Sequence, residues 1–292
     1  MRHLIHVGFP KAGSTFLQRW FEGHPQIAYA KGGIAGLTGI EGIVEAALSP
    51  APPELWRVTS AEALTAPLVS SAAAAIHRAT VAPAGFSALQ KRVCASLAAL
   101  FCGATILIVT RGFRSMILSS YSQYVRTGGT DSLGDMIAAA LKHQPWDYNA
   151  VVGAYEDAFG AENVIVLPYE WLAAGPAAFL GELERRMGLD PASSTLDRVN
   201  VSLSPAELAW YPWLGRASAR LPFGGAAAAR LVAKAVSSNR LQAPVSLLQK
   251  LRPRRPVSEA MISQNMLDGF AGRAELLRGR PHYAAYAEAY LL

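Results

Sequence analysis

Residues 3–21 constrain the fold more than any other stretch of the chain. His3-Leu4-Ile5-His6-Val7 reads as a buried strand and runs directly into Gly8-Phe9-Pro10-Lys11-Ala12-Gly13-Ser14-Thr15. From Ser14 to Phe21 the apolar residues recur at helical spacing, so a strand, a glycine turn and a helix N-terminus follow one another. Such a junction collects backbone N–H groups and the positive end of the helix dipole at one point, which makes an anion site. The lysine narrows the choice. A Walker A loop places lysine immediately before Ser/Thr, whereas Lys11 stands two residues ahead of Gly13-Ser14-Thr15. The loop is P-loop-like, but not arranged as in an ordinary ATPase or GTPase.

Two further strands follow the same logic. Ala104–Thr110 is an unbroken apolar run, as expected for a parallel strand buried on both faces. Asn163–Leu167 is bounded by Gly160 and Pro168. Helical spacing covers Ser14–Phe21, Ser87–Phe101, Phe113–Tyr124, Leu133–Leu141 and Tyr148–Phe159. Alternating strands and helices imply an α/β fold of three layers, a central parallel sheet flanked by helices. The expected organisation is a single domain over 1–292. Residues 31–86, rich in glycine, alanine and proline, form a cover of loops and short helices, and 66–69 is a candidate strand. Residues 202–292 are mainly helical.

Composition excludes several classes. With 51% hydrophobic and 16% charged residues in 292, the chain can bury a substantial core and is not disordered. Its two cysteines, Cys94 and Cys102, form no CxxC or Cys/His cluster, so no metal site is expected, and both read as core thiols of a reducing compartment. No signal peptide or membrane-spanning helix is read, and the expected location is cytoplasmic.

The strand 104–110 runs into Arg111, and Ser119 follows eight residues later. Ligands of open parallel sheets gather at the carboxyl ends of strands, so Arg111 is expected beside the phosphate loop. A guanidinium fork with a hydroxyl suits a phosphate that needs charge and directed donors. Gly-Phe-Pro-Lys-Ala-Gly-Ser-Thr after the first strand, with Arg and Ser eight apart after a central strand, resembles the PAPS-dependent sulfotransferase family. His24-Pro25-Gln26-Ile27, Ser119–Gly129 and Phe159–Glu170 are similar to further segments of that family.

The resemblance implies roles. Lys11, Ala12, Gly13, Ser14 and Thr15 would grip the 5′-phosphosulfate, with Lys11 also neutralising charge on the departing PAP. Arg111 and Ser119 would hold the 3′-phosphate that distinguishes PAPS from ATP. Arg114 is read as solvent-facing, with a secondary phosphate role as the alternative. The family also implies a base that takes the acceptor's proton, either a histidine ahead of the central strand or a glutamate soon after the His-Pro segment. No carboxylate stands at the second place, and the candidates are His77, Glu41 and Glu45. His3, His6 and His24 are read as structural, His143 and His282 as surface residues. The C-terminal Arg-Lys-Gly signature of cytosolic members is missing.

The net charge of +6 is concentrated late: residues 216–255 hold nine Lys/Arg and no Asp or Glu. Three readings stay open for this segment: a solvated face, a dock for an acidic acceptor such as a glycan, or peripheral attachment to an anionic membrane surface. No nucleic-acid motif is present. The expected activity is sulfuryl transfer from PAPS to a hydroxyl or amine of an unidentified acceptor, a glycan, lipid or small hydroxyl compound. The alternatives are a P-loop-type kinase and a PAP-binding protein without transfer activity.

Overall fold

The structure, a computed structural model, describes residues 2–38, 44, 55–65, 85–192, 202–222 and 224–292. Five parallel strands form one sheet in the order β2-β3-β1-β4-β5, where β1 is Arg2–His6, β2 Ile27–Tyr29, β3 Trp56–Ser60, β4 Thr105–Thr110 and β5 Val164–Pro168. Helices flank this sheet, as the alternating pattern requires. From β1 the chain builds two strands on one side and two on the other. The carboxyl end of β1 therefore lies where the strand order reverses, the place open α/β sheets keep for ligands.

The central strands form where the sequence is most apolar. Leu4, Ile5, Ile106, Leu107, Ile108 and Val109 are all fully buried. Parallel pairing sets Ile5 against Thr59 on one side and Ile106 on the other, and Val7 N–H donates to the Leu107 carbonyl at 2.9 Å, carrying the pairing into the loop.

Strand β3 departs from the expected cover of loops and short helices over 31–86, and β2, just ahead of that range, was not expected as a strand. β3 reads poorly because Arg57, Thr59 and Ser60 interrupt its apolar residues, yet all of Trp56–Ser60 is buried. Its polar side chains are matched by neighbours. His3 Nε2 meets Thr59 Oγ1 at 2.9 Å, His6 Nδ1 meets Ser60 Oγ at 2.8 Å, and Arg57 donates to the Ala35 carbonyl at 3.2 Å. A buried polar strand is stable only with such partners. Each histidine on β1 thus ties one ring nitrogen to β3, and burial pushes His6 down to about 4, leaving it neutral at physiological pH. Candidate strand 66–69 lies outside the described residues.

The remaining elements follow the periodic pattern closely. They are α1 Ser14–Gly23, α2 Gly85–Leu100, α3 Phe113–Arg126, α4 Leu133–His143, α5 Tyr148–Phe159, α6 Tyr169–Ala174 and α7 Pro176–Met187. Past residue 202 come α8 Pro205–Ala219, α9 Gly225–Ser237, α10 Gln242–Leu251, α11 Gln264–Asp268 and α12 Ala287–Tyr290, so the late part is mainly helical. Cys94 is buried, donating to the Ala154 carbonyl at 3.3 Å, but Cys102 is exposed in the turn after α2 and is not a core thiol. None of the helices described is long and apolar enough to cross a membrane.

Candidate active site

The loop after β1 turns sharply before α1. Lys11 has φ +72° and Gly13 φ +88°, both in the left-handed region. At Gly13 two demands coincide, because a Cβ there would also come within 2.7 Å of Leu172 Cδ2. Ala12 N–H donates to the Phe9 carbonyl at 3.1 Å and Phe16 N–H to the Gly13 carbonyl at 2.9 Å, closing the turn onto the helix. The start of a helix turns its N–H groups and the positive end of its dipole toward this loop, which favours an anion there.

A cleft of about 180 Å³ brings together Lys11, Gly13, Ser14, Thr15, Arg111 and Ser119 with a carboxyl not foreseen, that of Glu62. Ala12 does not line it; its side chain is fully buried in the core. Arg111 leaves the end of β4 in a fixed pose. Its Nε donates to Ser115 Oγ at 3.0 Å, its Nη1 donates to the Lys11 carbonyl at 2.6 Å, and its guanidinium lies 4.4 Å from the centre of the Tyr169 ring. The Lys11 main chain is thereby tied directly to Arg111. Ser119 is buried on α3, two helical turns beyond the strand.

A second layer braces Arg111 from behind. Glu170, at the start of α6, accepts from Gly112 N–H at 2.9 Å and from Ser115 Oγ at 3.3 Å. Its other oxygen accepts from Tyr290 OH at 2.7 Å. Tyr290 and Tyr283 both reach Thr110 Oγ1, at 3.1 and 2.6 Å, and Tyr148 OH donates to the Arg111 carbonyl. The last helix of the chain is therefore hydrogen-bonded into the turn that aims Arg111.

Glu62 faces the loop from the other side. It opens a short 3₁₀ turn, Glu62–Leu64, immediately after β3, and β3 pairs with β1. Ala61 N–H donates to the His6 carbonyl at 3.2 Å, and Thr65 Oγ1 donates to the Gly8 carbonyl at 3.0 Å, which pins the turn to the phosphate loop. Gln90 Nε2 on α2 donates to the Thr65 carbonyl at 2.9 Å and holds the turn from outside. Burial pushes the Glu62 carboxyl above its ordinary value, while the Ser14 hydroxyl and the Lys11 ammonium pull it back. Burial lowers Lys11 in turn, aided by Arg126 and Arg111 and opposed by Glu62. Burial sets both shifts, and each group's charge partly offsets the shift of the other within one cleft.

Of the other residues singled out in the sequence, His77, Glu41 and Glu45 lie outside the described residues. Arg114 is not solvent-facing but is tied by its Nη1 to the Ile262 and Glu259 carbonyls. His282 stacks on Trp171 with ring centres 3.6 Å apart. Glu62 was missed because its position depends on β3, a strand disguised by its polar residues. The signal that was available is a pairing of types: polar Arg57 and Ser60 stand opposite His3 and His6, and Thr59 hydrogen-bonds His3. A larger cavity, about 420 Å³, lies between the end of α3, α8 and α9, and neither the loop nor any carboxylate lines it. Among the described residues no His/Cys/Asp/Glu cluster could hold a metal.

No family model and no curated protein matches this chain. Among solved structures it is similar to a sulfotransferase from Alicyclobacillus acidocaldarius, with 19% identity and a TM-score of 0.45, covering 68% of this chain and 87% of that one. It is also similar to the mouse sulfotransferase SULT7A1 complexed with PAP, with 14% identity and a TM-score of 0.45, covering 99% of this chain and 89% of that one.

Proposed function

We propose that this chain is a PAPS-dependent sulfotransferase that moves a sulfuryl group to a hydroxyl or amine of an acceptor, the whole of 1–292 serving that one activity. The observation that carries the reading is the meeting of three chemistries in one cleft: the loop with Lys11, the Arg111/Ser119 pair, and the Glu62 carboxyl. The glycine cradle at Gly13 and the first turn of α1 suit a phosphosulfate. Arg111 and Ser119 offer a second anion subsite, as a nucleotide with a separate 3′-phosphate demands.

PAPS, when bound, supplies an activated sulfuryl group. Lys11 and the amides of Gly13, Ser14 and Thr15 stabilise the negative charge that gathers on the phosphate side as the S–O bond breaks. Glu62 is the general base. It accepts the proton from the acceptor hydroxyl or amine as the new bond to sulfur forms. Burial raises its proton affinity and so makes it a stronger base once ionised, while Lys11 keeps the ionised form accessible. With Glu62 in the cleft, the reading as a PAP-binding protein without transfer activity loses the missing carboxylate that favoured it.

Calorimetry tests the donor. PAP should bind at least tenfold more tightly than 5′-AMP or ATP with Mg²⁺, and Arg111→Ala should remove most of that preference, an expectation of about 1.5–3 kcal/mol for a charge-assisted contact. Equal affinities sink the reading, and an ATP preference with Mg²⁺ favours a kinase. Transfer from labelled PAPS to panels of glycans, lipids and phenols identifies the acceptor.

A further inference from the structure

Helices α9 and α10 both pack against α8, and each turns one face outward. On α9 the exposed residues Ala227, Arg230, Leu231 and Lys234 fall at helical spacing, while Val232, Ala233 and Val236 face inward. On α10 the outward face carries Ala243, Leu247, Lys250 and Leu251, while Val245 is buried. Leu231, Leu247 and Leu251 are 68%, 59% and 70% exposed. Each is next to, or within one helical turn of, an exposed lysine or arginine.

The basic residues of this region divide into two groups. Arg254 is committed to structure: its guanidinium lies 4.8 and 4.5 Å from the Trp210 and Trp213 ring centres. Gln249 joins the same clamp, accepting from Trp210 Nε1 at 2.7 Å and donating to the Arg254 carbonyl at 2.8 Å. Arg216 is spent on the Thr130 carbonyl. Arg220, Arg230, Lys234, Arg240, Lys250, Arg252 and Arg255 remain exposed and, among the described residues, form no ion pair with an acid. No acidic residue occurs anywhere from 216 to 255 to oppose them. The Trp210–Gln249–Arg254 clamp holds α10 against α8, so the outward face is presented by a braced element.

We propose that the α9–α10 face docks the protein on an anionic lipid surface, its leucines entering the headgroup–acyl boundary and its basic side chains meeting lipid headgroups. Short amphipathic helices with basic rims bind membranes in this manner, by apolar insertion added to electrostatic attraction. A soluble polyanion would use the charges but gain nothing from three leucines left in water, and the leucines therefore decide between the two. This goes beyond the donor reading and does not depend on it.

Co-sedimentation of the full chain with vesicles provides the test. Vesicles of phosphatidylcholine alone should capture little protein. Those with one-third phosphatidylserine should bind it, and added salt should weaken the binding. Lys234→Glu with Lys250→Glu should reduce binding about thirtyfold or more, from roughly 1 kcal/mol per basic residue lost. Leu231→Ser, Leu247→Ser and Leu251→Ser together should lower it severalfold, with the circular dichroism spectrum and PAP affinity unchanged. Equal binding to neutral and anionic vesicles, or none to either, overturns the proposal. Full binding by the leucine variant, matched by capture on an acidic polysaccharide, replaces the membrane with a soluble polyanion.

Discussion

The two walls of the cleft are built by opposite means. The Lys11–Thr15 wall is local: one strand, one turn and one helix N-terminus supply its shape and most of its polarity, and its specifying residues are contiguous. The Glu62 wall is distant and composite. Its carboxyl is placed by the pairing of β3 with β1, by Thr65 reaching the Gly8 carbonyl, and by Gln90 reaching back from α2. An anion cradle thus comes almost ready-made from a short motif, whereas a carboxyl aimed at it requires several separate segments to agree. The loop wall should therefore tolerate change in the rest of the fold better than the Glu62 wall does.

The largest expected effect separates the walls by function. Glu62→Gln should leave PAP binding nearly intact and lower the transfer rate by about 10²–10⁴-fold, the usual contribution of a positioned base. A variant that loses PAP affinity to the same degree would instead make Glu62 part of the donor site. Lys11→Ala should lower both, the rate by about 10²–10³-fold, and single-turnover kinetics would show whether the chemical step is the one slowed.

A pH profile sharpens the same comparison. The carboxyl must be ionised to act, and its proton affinity is raised, so kcat/KM should fall as pH drops through a midpoint above the ordinary glutamate value. At the alkaline end donor affinity should fall as pH rises through a Lys11 midpoint that lies below the ordinary lysine value. Glu62→Gln should abolish the acid limb and leave the alkaline one. Persistence of the acid limb would assign it to another group.

Smaller effects probe the braces. Thr65→Val removes the buried link between the Glu62 turn and the loop and leaves the Gly8 carbonyl short of a partner, at a cost of about 1–3 kcal/mol. Its rate should fall more than its PAP affinity. Tyr290→Phe deletes the hydrogen bonds to Glu170 and from Thr110 behind the turn that aims Arg111, each worth about 0.5–1.5 kcal/mol. The expected signature is a modest loss of preference for PAP over 5′-AMP, with transfer chemistry in saturated enzyme little altered. An unchanged preference would leave the last helix a purely structural plug.

These differences also explain how much could be read beforehand. β4 and β5 were legible because strands buried on both faces are continuously apolar, and the loop because glycine, lysine and hydroxyl residues stand together. Arg111 and Ser119 were legible because a strand end and a helix after it carry them into the same cleft. Glu62 was not. Its strand alternates Trp56 and Val58 with Arg57 and Thr59, and only the opposing His3 and the nearby Ala35 carbonyl make those polar residues acceptable inside. The bracing tyrosines were equally hidden, since a hydroxyl 173 residues from its partner leaves no periodic trace. Cys102 erred the other way: an apolar neighbourhood in sequence proved to be an exposed turn.

The hydrogen bond from Arg111 to the Lys11 carbonyl spans 100 residues of chain. Its consequence concerns time as well as shape. The phosphate loop is synthesised before the segments that complete its surroundings: β1 pairs with strands that begin at Trp56 and Thr105, and Arg111 itself is aimed through Tyr290. Contacts so far apart in sequence form slowly, because a long segment must close before any stabilisation is gained. The loop is therefore expected to become competent only well after it has been synthesised. During refolding, capacity to bind PAP should appear after helical structure has returned, and full preference for PAP over 5′-AMP only once the helix carrying Tyr290 has docked.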